Sequence, residues 1–335
     1  MSDRSGAYSV LFFKRLIAAA LALIILTLAG LCLWFGVGLH RTSARLAAAE
    51  AREQERLAAE EAQRRREELP PEREKPAGEE SAAELLQNNR VIAHAMGSVD
   101  GIAGLNCLEG FRSAYDAGVR VFEADLRLTA DGSLVLRHDW AAGIQEDISV
   151  SSLPTLERFL AVPVVGVYTP LSFHDVLLLM ARYPDICVIT DTKLLEPEAV
   201  VAQFRSMVEE AHTLGLSYLF DRIVVQVYSE EHFSIVDSVY HFPYYIYTLY
   251  QDPAGFGRTE DAFREKANFC QEHGIMGIGL ADTIWDTDYA PIAEWRSLLV
   301  FAYTVNDRDR AEWLLRNGVS GVYTDFLTPD EFPSD

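Results

Sequence analysis

Positive charge is scarce over most of this chain. The 335 residues have a formal net charge of −21, and the stretch from 91 to 335 sets 16 basic side chains against 37 acidic ones. Only two of those basic groups, Lys193 and Lys266, are lysines. Such a surface repels nucleic acid at long range, so no nucleic-acid partner is expected. An anionic substrate would need a local positive centre, either a metal or a positioned base. Cysteine is scarce as well. Apart from Cys32, only Cys107, Cys187 and Cys270 occur, an odd number that speaks against a disulfide framework. No glycine-rich phosphate loop follows the first β-rich run, which counts against a doubly wound open sheet.

What is present begins with an apolar run. Residues 16–39 carry no charged side chain and are long enough to cross a bilayer as a helix. The run exceeds a usual signal-peptide core and no small-x-small cleavage site follows at once, so an uncleaved single-pass anchor is the expectation. Arg4, Lys14 and Arg15 precede it and Arg41, Arg45 and Arg52 follow it, a near tie. The reading is a cytoplasmic tail over 1–15, an anchor over 16–39 and an extracytoplasmic domain beyond. Residues 40–69 are rich in Ala, Glu, Arg and Gln with few large apolar groups, and read as a charged helical stalk. The apolar stripe of a coiled coil is missing, which leaves a homodimer through the stalk as the sharper and less supported alternative. Residues 70–90 open with Pro70 and Pro71 and read as a linker.

From residue 91 to 335 the pattern changes to short β-rich runs alternating with amphipathic stretches. The expected strands cover 91–97, 121–129, 187–193, 222–228, 244–250, 276–282, 298–305 and 321–326. Eight strands separated by helical segments fit an α/β fold of the (β/α)8 TIM-barrel type. Barrel enzymes act at the C-terminal ends of their strands, and polar residues recur there: His94, Glu123 and Asp125, Asp191 and Lys193, Gln226 and Tyr228, Asp282, Thr304 and Asn306, Thr324 and Asp325.

Glu123 and Asp125 are two apart, so on a strand they face the same way and can share one cation. The "TADG" turn and "SLVLRHD" arm that follow form a hairpin able to return His138 to the barrel mouth. Asp191 and Lys193 repeat the two-residue spacing, adding a hard oxygen ligand and an ammonium suited to a phosphoryl oxygen. Each feature alone fits a solvated strand face or a packed core histidine. Together they describe phosphodiester cleavage. Three carboxylates would hold Mg²⁺ or Ca²⁺, and His94 and His138 would exchange protons with the attacking hydroxyl or water and the leaving alcohol. Oxygen-only ligands disfavour zinc. Gln226, Tyr228 and Asn306 are candidate substrate contacts. Trp140 and Trp285 suit a substrate wall or simple packing equally.

The runs "IAHAMG", "NCLEGF", "VFEADLRLTADGSLVLRHD", "VITDTK" and "AYTVNDRDRAEWLLRNGVSGVYTDF" resemble the glycerophosphodiester phosphodiesterase family, within the superfamily of phosphatidylinositol-specific phospholipase C-like barrels. The resemblance implies His94 and His138 as the acid/base pair, Glu123, Asp125 and Asp191 as metal ligands, Lys193 on the phosphate, and Glu109 and Asn106 in the segment after the first strand. It also implies glycerol-based or lipid-derived phosphodiesters as substrates. Two departures stand out. Ala95 follows His94 where that family usually has Arg, and Asp191 stands where it usually has Glu. The shorter carboxylate resembles the sphingomyelinase D branch, which leaves cleavage of choline lipids as an alternative. A non-catalytic phospho-ligand receptor is a further one, favoured by Ala95 and opposed by the retained histidines and acids.

Overall fold

The computed structural model describes residues 73–332 except 142, 146–147, 149–152 and 252–258. The expected anchor and stalk lie outside the described residues. Among the described residues no helix is long and apolar enough to cross a membrane.

The sheet is a closed parallel barrel. In chain order its strands are β1 (Val91–Ala93), β2 (Val121–Leu128), β4 (Cys187–Asp191), β5 (Ile223–Val227), β6 (Tyr245–Thr248), β7 (Gly277–Ala281), β8 (Leu299–Tyr303) and β9 (Gly321–Thr324). Each pairs in parallel with the next, and β1 closes the ring by pairing with both β2 and β9. All eight strands fall within the runs expected from the sequence. The short β3 (Leu134–Leu136) runs back antiparallel along β2, with Leu126 opposite Leu136, so the hairpin after the second strand is present. Its turn is closed by the Thr129 N–H donating to the Ser133 carbonyl at 2.9 Å, with Gly132 at φ +79°, a left-handed conformation that favours glycine.

Alternation along the strands sorts the barrel into two cores. Outward-facing residues such as Phe122, Val188, Val225 and Ile278 pack beneath the surrounding helices, whereas Ile92, Val121, Cys187, Ile189, Val224, Ile246 and Phe301 fill the interior. Gly277 on β7 leaves room for that filling, since a Cβ there would lie 3.0 Å from the Phe301 ring. Among the described residues, Cys107, Cys187 and Cys270 are buried free thiols. Trp285 packs near Phe263 and donates to the Asn317 carbonyl at 3.2 Å, and Trp140 meets Phe159 edge-on, so both serve packing.

The stretch expected as a linker departs from that reading. Helix α1 (Ala82–Asn88) starts at Ser81 with a full capping box, Ser81 and Glu84 each satisfying the other's backbone N–H. Its Ala82, Leu85 and Leu86 are buried against the interior residues at the beginnings of the strands. The helix therefore plugs the barrel floor. Arg222, 1% exposed, pins the approach to it: the guanidinium bonds the carbonyls of Met180, Tyr183 and Ile186 and pairs with Glu79 at 3.3 Å. A linker reading missed the plug because seven residues are too few to show helical periodicity. Replacing Leu85 with Ala should cost about 2–5 kcal/mol of stability in urea unfolding of the full chain. Unchanged stability would show that α1 is not part of the core.

Candidate active site

Register brings the acids together. β2 and β4 are neighbours, with Asp125 directly opposite Asp191 and Glu123 opposite Ile189, all on interior-facing positions. Ligand oxygens of Glu123, Asp125 and Asp191 lie within 4.8 Å of one another. Glu123 and Asp125 are 2% and 1% exposed. Burial, and then the neighbouring Asp125, pushes Glu123 well above the usual carboxylate range; burial also raises Asp191, against the pull of Lys193.

Lys193 answers part of that repulsion. Its ammonium contacts Asp125 and stands 3.0 Å from Asp191 Oδ2. Burial opposes its charge, but Asp191 and Asp125 outweigh burial and hold it protonated. With all three carboxylates ionised, one ammonium leaves two negative charges, the complement of one divalent cation. Glu123 also has a free coordination position: Oε2 accepts the Ala95 N–H at 2.7 Å, while Oε1 is buried without a hydrogen-bond partner. An oxygen-only set with one unsatisfied oxygen fits a hard cation.

The ligands are braced from outside. Asn106 donates to Asp125 Oδ2 at 2.8 Å and accepts the Asp125 N–H at 3.1 Å. Its own N–H donates to the Ala95 carbonyl at 3.1 Å, tying the loop behind His94 to the same point. That loop packs tightly on α2 (Leu108–Asp116), because Gly97 at φ +91° sits where a Cβ would lie 2.8 Å from Ala114. On the other side, the Tyr228 hydroxyl donates to Asp191 Oδ1 and accepts the N–H groups of Thr192 and Lys193 at 2.9 and 3.1 Å. Those bonds hold Lys193 at φ +53°, a conformation unfavourable for a side chain of its kind. The Tyr228 ring rests on buried His232 at 4.9 Å, whose burial pushes it down to about 4, so it stays neutral.

Both sequence-expected histidines reach the cleft. His94 lies just past β1, with Nδ1 2.8 Å from Asp325 Oδ1 and Nε2 4.0 Å from Glu123 Oε2. Burial works against its charge, but the Asp325 hydrogen bond and the carboxylates of Glu123 and Asp125 push it up to about 9. Asn306 steadies Asp325, donating to Oδ2 at 2.6 Å and accepting the Asp325 N–H at 2.8 Å. His138 follows β3 and pairs through Nδ1 with Asp139 at 2.8 Å, while Arg127 grips its carbonyl at 2.9 Å.

A cleft of about 260 Å³ is lined by His94, Glu123, His138, Asp191, Lys193, Gln226 and Tyr228, with Thr248, Tyr250, Tyr303, Thr304 and Tyr323 completing the wall. Asp125 sits in the acidic cluster beside it. Asn106 and Asn306 act on carboxylates and do not line the cleft. Glu109 is turned elsewhere: its two oxygens accept from the backbone and hydroxyl of Thr169 at 2.8 Å each. Sequence reasoning left out Asp325 as the partner of His94, and the wall residues Thr248, Tyr303 and Tyr323. Period-two counting inward from Ile246, Phe301 and Gly321 was the signal available for those three.

Removing the Tyr228 hydroxyl frees both Asp191 and the Lys193 turn. Tyr228→Phe should lower divalent-cation affinity about 10–100-fold in a calorimetric titration; unchanged affinity would show that Asp191 needs no brace.

Residues 103–170, from the loop before α2 through the hairpin, match the model of the Glycerophosphoryl diester phosphodiesterase family. Among curated proteins, none matches the chain. Among solved structures, an Oleispira antarctica phosphodiesterase in complex with the product sn-glycerol-3-phosphate aligns with a TM-score of 0.60 at 17% identity, over 73% of this chain and 96% of that one. A glycerophosphodiester phosphodiesterase from Parabacteroides distasonis aligns with a TM-score of 0.58 at 18% identity, over 73% and 95%. One from Agrobacterium tumefaciens gives 0.56 at 15%, over 73% and 98%. At these identities the likeness is one of fold. The family match covers the segment that carries Asn106, Glu123, Asp125 and His138, and over that segment the chain is similar to the glycerophosphoryl diester phosphodiesterase family.

Proposed function

We propose that the cleft hydrolyses glycerol-based phosphodiesters to sn-glycerol 3-phosphate and an alcohol. The observation that carries this reading is the meeting of two histidines from separate strands with a cluster of three carboxylates in a single cleft. The product bound by the Oleispira antarctica phosphodiesterase supports the substrate class.

Glu123, Asp125 and Asp191 would hold the divalent cation, Mg²⁺ or Ca²⁺, which when bound neutralises the diester anion and polarises its phosphorus. The remaining chemistry belongs to the chain. Lys193 places a positive charge at the same end of the cleft, and Asn106 and Tyr228 keep the ligands from swinging apart. Asp325 accepts the Nδ1 proton of His94, which directs Nε2 towards the Glu123 side of the cleft. One imidazole takes the proton of the attacking hydroxyl or water while the other gives a proton to the departing alcohol oxygen.

The test uses the full chain with glycerophosphocholine, glycerophosphoethanolamine, glycerophosphoinositol and sphingomyelin, with either cation or with chelator. Alcohol release should require the cation, and His94→Ala and His138→Ala should each lower kcat about 10²–10⁴-fold. Full turnover in either variant would remove that histidine from the mechanism. Preferential release of choline from sphingomyelin would move the chain to choline-lipid cleavage.

We further propose that residues 16–39 anchor the chain in a membrane through one span, with the barrel on the extracytoplasmic side. The support is the length of the charge-free run. The protein should stay with membranes through alkaline extraction, and its release into the supernatant would rule the anchor out.

A further inference from the structure

Tyr323 presents an interior hydroxyl that the fold itself does not use. It stands on β9 opposite Ile92 of β1, two residues before His94. Its ring meets Phe301 edge-on at 6.4 Å and Tyr303 at 6.1 Å. The packing therefore requires an aromatic ring, and neighbouring Phe301 shows that this interior accepts one without a polar atom. Yet Tyr323 is 3% exposed, its hydroxyl has no hydrogen-bond partner among the described residues, and the residue lines the cleft. A buried donor left unpaired costs free energy that phenylalanine would avoid.

Several other polar groups around it are already paired. The Lys193 ammonium is held by Asp125 and Asp191, the Tyr228 hydroxyl by Asp191 and two backbone N–H groups, and the Thr248 hydroxyl donates to the Tyr303 oxygen at 3.4 Å. Beside His94, Ala95 contributes its N–H to Glu123 and brings no polar side chain. Two buried atoms of the cleft residues remain over, Glu123 Oε1 as an acceptor and the Tyr323 O–H as a donor, and no hydrogen bond joins them. An acceptor that takes a cation and a donor that takes an anion suit the two parts of one metal-bound phosphoryl group.

We propose that Tyr323 is a substrate-contacting residue whose hydroxyl donates a hydrogen bond to a non-bridging phosphoryl oxygen of the diester seated over Glu123, Asp125 and Asp191. The assignment rests on the diesterase reading of the cleft. It deepens that reading by naming the donor that stands on the β9 side of the phosphate, where Ala95 supplies none.

The experiment compares the full chain with its Tyr323→Phe variant. Calorimetry measures sn-glycerol 3-phosphate and inorganic phosphate at saturating Mg²⁺, then Mg²⁺ alone, and a thermal melt is recorded for each protein. The variant should bind both phosphates about 10-fold more weakly, as loss of one hydrogen bond to a charged group implies. Its Mg²⁺ affinity should be unchanged and its Tm equal or higher, because no internal hydrogen bond is lost. Wild-type phosphate affinity in the variant would overturn the assignment. An equal loss of Mg²⁺ affinity would overturn it too, by giving the hydroxyl to the metal's own shell. A wild-type protein that binds Mg²⁺ but neither phosphate would remove the diesterase reading and this assignment with it.

Discussion

Three carboxylates side by side in a barrel interior repel one another, and much of the surrounding structure answers that repulsion. Lys193 enters between Asp125 and Asp191, and Asn106, Tyr228 and the Ala95 N–H each give a hydrogen bond to one of the acids. These partners still leave Glu123 with a bare oxygen and the cluster with surplus negative charge. A site assembled to this degree, with its charge left incomplete, is stable as a receptacle for a cation. The strain at Lys193, held at positive φ by Tyr228, belongs to the same arrangement.

His94 depends on that cluster too. His94 is held between Asp325 and the Glu123 side of the cleft, and its raised proton affinity comes from the carboxylates about it. His138 comes from outside the barrel ring, on the arm that returns from the hairpin, and stays more exposed at 48% of its side chain. The two therefore differ in environment, one held against the charged cluster and one facing solvent.

The barrel positions this chemistry by closing at the other end. With α1 seated under Val121, Cys187 and Val224, apolar side chains fill the lower interior, and polar groups begin at the level of Ile189 with Glu123 beside it. The acidic surface around the domain repels anions at long range, so an anion would need the cation that these acids could hold before it settled in the cleft.

The division between sequence and structure follows from periodicity. Alternation of two residues is a local property, so the eight strands, the interior direction of Glu123, Asp125 and Asp191, and the hairpin that carries His138 were all legible in the order of residues. Distance between strands is not local. The pairing of Asp125 with Asp191 depends on the register of β2 against β4, the Asp325–Asn306 support of His94 on the closure of β9 against β1, and the remoteness of Glu109 on where Thr169 folds back. The α1 plug is the same case at the barrel floor, since a seven-residue helix shows its apolar side only against the strands that cover it. The sequence by itself determined which residues could face inward together. Only the closed barrel decided which of them touch, because contacts between side chains far apart in the chain exist only once register and closure are set.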